Sequence, residues 1–217
     1  MSAAAIFVKT PGQDRVKTRL ARGIGRKAAE DFYLRSAATV AAVAQSAGCD
    51  QLYFAVAEPE GEGFPAWQTH ERLIQPPGDL GVRMAGIMAE LITRHGAGIL
   101  LGADAPQITT RELSRARQWL AASEPRLVIG PAADGGFWLL GSNRAISSGY
   151  WQVGYSQADT ADQLIDRMRP LGSWLTLSTL TDLDEVDDWT GVVSGLQAIE
   201  RPHPLQAELL VWMRHFQ

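Results

Sequence analysis

Ile99-Leu100-Leu101-Gly102-Ala103-Asp104-Ala105-Pro106 is the stretch from which the fold of this chain is read. Ile99 to Leu101 are apolar without alternation, the pattern of a strand covered on both faces in the middle of a parallel sheet. Gly102 and Ala103 narrow the chain, Asp104 presents one carboxylate, and Pro106 stops the strand. In open α/β sheets, ligands bind just beyond the carboxyl ends of the strands. A lone Asp there, flanked by small residues, suits a metal ion that must meet a phosphate. It equally suits the cap of a helix starting near Thr109, and spacing alone leaves both open.

Working outward, Ala3 to Val8 reads as a second central strand, and it runs into Lys9-Thr-Pro-Gly-Gln-Asp-Arg-Val-Lys-Thr-Arg-Leu20, expected as a loop. Pro11 and Gly12 force a turn there. Lys9, Lys17, Thr18 and Arg19 then offer donors suited to phosphate oxygens. A Walker A loop is not present, because its second glycine would fall at Val16. Residues 26–47 have helical periodicity through Ala28, Phe32, Val40 and Ala44, with Gly48 as the stop. The Phe32-Tyr33 pair reads as core. Strands are expected over Gln51 to Ala57 and Leu73 to Gln75, with a loop over 58–65 between them.

The segment Gln75-Pro-Pro-Gly-Asp-Leu-Gly-Val-Arg-Met84 opens another helix, with Gly78 and Gly81 around Asp79 and Arg83 one turn on. Glycines at a helix start let a flat or anionic ligand approach the backbone, while Asp79 has the chemistry of a cap. Beyond Asp104 comes a helix over 109–122, capped at Thr109 or Thr110, and a strand from Arg126 to Ile129. Gly130-Pro-Ala-Ala-Asp-Gly-Gly-Phe-Trp-Leu-Leu-Gly141 follows. Asp134-Gly135 reads as a hairpin turn and Phe137 to Leu140 as the returning strand. The second glycine, Gly136, is not needed by that turn and would also admit a ligand. A helix over 157–170 and a strand from Trp174 to Leu180 come next. Asp182 to Asp188 then carries five acids in seven residues. Most of these serve as caps and dipole partners for the helix containing Trp189, Val192 and Leu196, while Asp182 or Asp184 is available to share a cation with Asp104. Residues 203–216 read as a final helix.

Composition narrows the function. Of 217 residues 46% are hydrophobic and 20% charged, and no apolar run approaches the ~20 residues of a membrane span. Met1 to Val8 resembles a leader only superficially, since it lacks a basic start and ends at Lys9-Thr10-Pro11; a cytoplasmic protein is expected. The single Cys49 excludes an internal disulfide and a thiolate zinc cluster. Net charge is −4, yet residues 9–27 hold seven basic residues, including all three lysines, against Asp14 alone. With an acidic remainder and no second basic stripe, nucleic acid is not the expected partner, and a compact polyphosphate is. His70, His95, His203 and His215 form no His-Glu-x-x-His, which argues against a zinc hydrolase. Gly154 to Ala158 lacks the second glycine of a nucleophile elbow, and no Gly-x-Gly-x-x-Gly implies a nicotinamide cofactor.

Taken together, these motifs resemble a bacterial family of candidate nucleotide-diphospho-sugar transferases with the glycosyltransferase-A fold, members of which are associated with radical-SAM or selenium domains. The resemblance covers roughly residues 4–196. It rests on Lys9-x-Pro11, Val16-Lys-Thr-Arg-Leu20, Gly78-Asp-Leu-Gly-x-Arg83, Gly102-x-Asp-x-Pro106, Gly130-Pro-Ala-x-Asp-Gly-Gly136, Leu140-Gly141 and Asp182-x-Asp184. Gln13-Asp14 stands where members have Pro-Gly, Phe137-Trp138 where they have paired tyrosines, and Tyr155 where they have Trp. Gly102 removes the first acid of an Asp-x-Asp pair. The resemblance implies a Rossmann-like three-layer α/β/α fold with a mixed, mostly parallel sheet. It implies one nucleotide-binding and transferase domain over 1–217, with a C-terminal helical extension from about residue 197.

By the same resemblance, Lys9, Lys17, Thr18 and Arg19 hold the diphosphate, and Gln75, Gly78, Asp79, Gly81 and Arg83 contact base, ribose or phosphate. Asp104, with Asp184 or Asp182, holds Mg²⁺ or Mn²⁺. Gly135, Gly136 and Trp138 border the sugar or a small-molecule acceptor, with Asp134 and Asp104 as catalytic residues. Three functions are carried forward. One is metal-dependent glycosyl transfer from a nucleotide-diphospho-sugar, with Asp134 as general base or sugar-orienting group. Another is nucleotidyl transfer from an NTP to a phosphorylated small molecule, which needs no protein base. The third is a non-catalytic nucleotide-binding module. Oligomeric state is left open.

Overall fold

The computed structural model describes residues 3–216; Met1 and Ser2, part of the stretch weighed above as a leader, lie outside them. Among the described residues seven strands form one sheet: β1 (Ala3–Val8), β2 (Gln51–Val56), β3 (Glu71–Ile74), β4 (Gly98–Gly102), β5 (Arg126–Pro131), β6 (Phe137–Ser142) and β7 (Ser173–Thr176). Their order is β3-β2-β1-β4-β6-β5-β7. Neighbours are parallel except at β6, which is antiparallel to both β4 and β5. The sheet is therefore the mixed, mostly parallel one expected.

Alternation along β1 explains the layers. Ala4, Ile6 and Val8 face one core with helices α2 (Arg26–Ser46) and α4 (Thr110–Leu120). Ala3 and Ala5 face a second core with α3 (Leu80–His95) and α5 (Thr160–Met168). Successive side chains on a strand point to opposite faces, so a strand apolar at every position is buried between two helical layers. A third cluster gathers α1 (Thr18–Ile24), α6 (Trp189–Gln197) and α7 (Pro204–Arg214) around Phe32 on the outer side of α2. The buried Gln206 amide in α7 donates to the carbonyls of Pro106 and Ile108, both at 2.8 Å. These bonds anchor the C-terminal helix to the loop after β4.

Three elements differ from the sequence reading. Thr18–Ile24 is helical, overlapping the expected loop at Thr18 to Leu20, because seven residues with Leu20 as their one buried side chain carry too little periodicity to read. The last strand ends at Thr176, and the chain beyond it crosses the carboxyl edge with a single bridge, Ala132 to Leu180. The expected 58–65 loop contains one 3₁₀ turn, Pro59–Gly63, and a second, Pro65–Thr69, follows it and buries Trp67. Among the described residues no helix is long and apolar enough to cross a membrane.

This topology places the site. Because β6 pairs antiparallel between β4 and β5, the β5–β6 turn carrying Asp134 falls at the same sheet edge as the end of β4. The Leu183 amide donates to the Asp104 carbonyl at 3.2 Å, drawing the acidic 182–188 run over that edge.

Candidate active site

β1 and β4 end side by side, with Phe7 in register with Gly102. The chain leaving β1 is held by buried Thr10, whose amide donates to Glu58 at 2.8 Å and whose hydroxyl accepts from the Trp67 indole. The Lys9 amide donates to the Tyr33 hydroxyl at 2.8 Å, and its ammonium meets Asp14 at 2.6 Å. Lys17, just before α1, takes a left-handed backbone (φ 49°), uncommon for a residue with a Cβ. Its side chain is 5% exposed, and its ammonium lies 2.8 Å from Asp104 Oδ2 and 2.6 Å from Asp184 Oδ1. Arg19 spans Asp184 Oδ2 at 2.7 Å and Glu185 at 2.8 Å.

The charges in this cluster act on one another. Burial opposes the Lys17 charge, but Asp104 and Asp184 outweigh it and hold the ammonium above its usual pKa. Burial pushes the Asp104 carboxyl up, against the pull of Lys17. Burial would also raise Asp184, yet Lys17 and Arg19 prevail and keep it below the ordinary carboxylate value. Asp182 has no such partner. Burial first, then repulsion from Asp104 and Asp134, push it up to about 7. Thr109 caps α4 by accepting from the Glu112 amide at 3.1 Å, which leaves Asp104 free of the capping role. The Oδ1 atoms of Asp104 and Asp182 are both buried without a hydrogen-bond partner. Such orphaned carboxylate oxygens are costly unless something binds them.

Three cavities open at this edge, one of them, about 240 Å³, between Arg19, Asp134 and the acidic 182–188 run. Of the other two, the first, about 330 Å³, is bordered by Lys9, Lys17, Thr18, Arg19, Gln75 and Arg83, together with Asp104 and Asp184. The second, about 220 Å³, has Asp134, Gly136 and Trp138 in its wall together with Asp182, Tyr155 and Ser156. Phe7 and Leu80 line both, so the two adjoin. Lys17 and Ser156 (φ 60°) are the non-glycine residues with positive φ among those described, one in the wall of each of these two cavities. Backbone strain of this kind concentrates at functional sites.

Several residues expected at the ligand also serve the fold. Asp79 accepts from the Val82 amide at 2.9 Å and caps α3. Gly78, at φ 136°, gives its carbonyl to the Arg83 guanidinium at 2.9 Å. A Cβ on Gly81 would stand 2.7 Å from the Trp151 carbonyl and 2.9 Å from the Tyr155 ring. None of these three residues lines the first cavity. Gly135, at φ 89°, is pressed on the Ala158 backbone, so packing against the start of α5 accounts for it. Asp134 Oδ1 accepts from the Gly136 amide at 2.8 Å and shapes the turn. Trp138 is buried, and its indole donates to the Ser178 carbonyl at 3.1 Å.

Sequence reasoning placed Tyr33 in the core, yet it lines the first cavity as well, its hydroxyl held above its usual pKa by burial and by Asp104. The signal available was a hydroxyl on an otherwise apolar helix face. Arg15, one of the seven basic residues of 9–27 but not among the expected phosphate ligands, also lines this cavity. Among the described residues no three His, Cys, Asp or Glu side chains are grouped as a ready-made metal cage.

The fold has close solved counterparts. A candidate nucleotide-diphospho-sugar transferase from Desulfovibrio desulfuricans G20 superposes with a TM-score of 0.83 at 24% identity, over 99% of this chain and 97% of that one. A nucleotidyl transferase from Methanothermobacter thermautotrophicus gives 0.58 at 14% identity, over 92% and 99%. Rv0371c of Mycobacterium tuberculosis H37Rv, in complex with manganese, gives 0.54 at 17% identity, over 91% and 99%. No curated protein matches the sequence. Residues 39–169, more than half of the chain, match the family described as "Uncharacterized protein conserved in bacteria (DUF2064)", and the chain belongs to that family.

Proposed function

We propose that this protein is a transferase that holds a nucleotide-diphospho-sugar in the first cavity and passes the sugar to a small-molecule hydroxyl in the second. The observation that carries this reading is the buried Lys17 ammonium at the carboxyl ends of β1 and β4, in a cavity also lined by Lys9, Arg15, Arg19 and Arg83. Five cations around about 330 Å³ suit a diphosphate, and the adjoining cavity receives what that diphosphate carries. The fold likeness to the Desulfovibrio protein supports the same donor class.

Lys17 and Arg19 would neutralise the charge that builds on the departing diphosphate, fixed donors being worth more at a partly dry site than in water. Asp134, its carboxylate oriented by the Gly136 amide, takes the proton of the acceptor hydroxyl or orients the sugar. The residues also fit a hard divalent cation, Mg²⁺ or Mn²⁺. Asp104 Oδ1 and Asp182 Oδ1 are buried and unpartnered, while Asp184 is already bound to Lys17 and Arg19. Asp104 and Asp182 are therefore the pair we assign to it, in place of Asp104 with Asp184. With only two protein carboxylates, the cation would complete its coordination on substrate phosphate and supply further charge neutralisation there.

The test is a thermal-shift screen of nucleoside diphosphates, their sugars and NTPs, with and without Mn²⁺, followed by turnover with the stabilising donor. A ligand at ~100 times its Kd adds about 2.7 kcal/mol, roughly 5–10 °C in a chain of this size. Transfer of the sugar to a hydroxyl acceptor, with release of the nucleoside diphosphate, supports the proposal. Release of pyrophosphate from an NTP would assign nucleotidyl transfer instead, and binding without turnover a non-catalytic module. Under glycosyl transfer, Asp134→Asn lowers kcat by about 10²–10⁴; a loss below about tenfold would remove Asp134 from the base role.

A further inference from the structure

The Lys17 ammonium stands where two carboxylates converge, and this placement bears on the order in which the site fills. Asp104 gives Oδ2 to Lys17 at 2.8 Å and keeps Oδ1 buried without a partner. Asp184 gives one oxygen to Lys17 and the other to Arg19. Lys17 is therefore already the counter-ion of Asp104, the carboxylate that a divalent cation needs. A cation reaching Asp104 would meet this ammonium within a few ångströms, a like-charge encounter at a buried point. The same ammonium lines the cavity assigned to the diphosphate.

We propose that Lys17 guards the cation seat and that donor phosphate releases it. Without nucleotide, Lys17 neutralises Asp104 and Asp184 and keeps divalent affinity low. A diphosphate in the first cavity draws the ammonium toward its own oxygens, which removes the like charge beside Asp104 Oδ1 and leaves that seat open to the cation. Nucleotide and cation binding are thus positively coupled through one side chain, and linkage makes the coupling reciprocal. The inference rests on the donor-site reading above for the identity of the releasing anion, whereas the guarding itself follows from the Lys17–Asp104–Asp184 geometry. Lys17 acts here as a positioning residue for the cation.

Equilibrium dialysis of Mn²⁺, with bound metal counted by electron paramagnetic resonance after acid release, tests this. The wild-type chain and Lys17→Met are compared alone and with saturating UDP, GDP, CDP or ADP on both sides of the membrane. The wild type should bind Mn²⁺ weakly alone and at least tenfold more tightly with one of the nucleotides. Lys17→Met should bind Mn²⁺ alone at least tenfold more tightly than the wild type does, and gain less than threefold from nucleotide. Equal or weaker Mn²⁺ binding by Lys17→Met would overturn the proposal. Should Lys17→Met gain affinity while no nucleotide alters the wild type, the guarding role stands and the donor-site reading falls. Lys17→Met/Asp184→Asn, which relieves the repulsion left by removing the ammonium, gives the same readout if the single variant does not fold.

Discussion

Replacing Asp182 with asparagine should make the protein more stable at neutral and alkaline pH, although the residue belongs to the candidate site. Its carboxyl is pushed up to about 7, by burial first and then by Asp104 and Asp134, from an ordinary value of 3.8. The sign follows from proton counting. Below pH 4 the folded and unfolded chains both carry the proton, and stability owes nothing to it. Between about 4 and 7 the unfolded chain ionises while the folded one does not, so stability falls as pH rises, and above about 8 the loss is complete. Each pH unit of that interval is worth about 1.36 kcal/mol, which sets a ceiling of roughly 4 kcal/mol. Asp182 is only partly buried, and solvent screening reduces the working value to about 2 kcal/mol. Asparagine has no charge to lose. Urea unfolding of both proteins at pH 5, 6.5 and 8, in chelator, should show the variant's advantage growing by about 1–2 kcal/mol across that range. An unchanged pH slope, or a variant less stable at pH 8, would refute the claim that Asp182 sits unpaired among like charges.

Other substitutions separate charge, packing and backbone. Arg19→Ala removes an exposed fork onto Asp184 and Glu185; melting should change by no more than about 0.5 kcal/mol, while nucleoside diphosphate affinity measured by calorimetry should fall about tenfold. Gly135→Ala places a methyl 1.9 Å from the Ala158 carbonyl oxygen at φ 89°, and urea unfolding should show a loss of about 3 kcal/mol or more. Gly12→Ala, at φ 90° with open space around it, should lose only about 1 kcal/mol, the backbone contribution alone. Gln206→Leu strands the Pro106 and Ile108 carbonyls and should cost about 2 kcal/mol or more in thermal unfolding; a neutral result would show that α7 is not tied to the β4 loop through this amide.

Much of the fold was legible because its signals are local. The unbroken apolar runs at Ala3–Val8 and Ile99–Leu101 mark strands covered on both faces, and they are the central pair β1 and β4. Asp79 and Thr109 announced helix starts that they do cap. Asp134-Gly135 announced the β5–β6 hairpin. A cap or a turn involves only a few consecutive residues, so its chemistry is written in them. The same reading assigned Gly78, Gly81 and Gly135 to a ligand. Glycine marks a close approach without saying what approaches, and here protein backbone and side chains do so at Gly81 and Gly135.

Residues near one another in the chain were enough to place Asp104 beyond the end of a central strand, to mark β1 and β4 as covered on both faces, and to confine the basic cluster to residues 9–27. The folded chain alone brings the Lys17 ammonium to Asp184, 167 residues away, and to Asp104 in the same place. It also leaves Asp182 and Asp104 with buried oxygens without partners, and sets β6 between β4 and β5 to bring Asp134 to their edge. The physical reason is one of range. Periodicity and capping are fixed by neighbours along the chain, whereas the charge balance of a site depends on which strand ends the sheet order sets side by side.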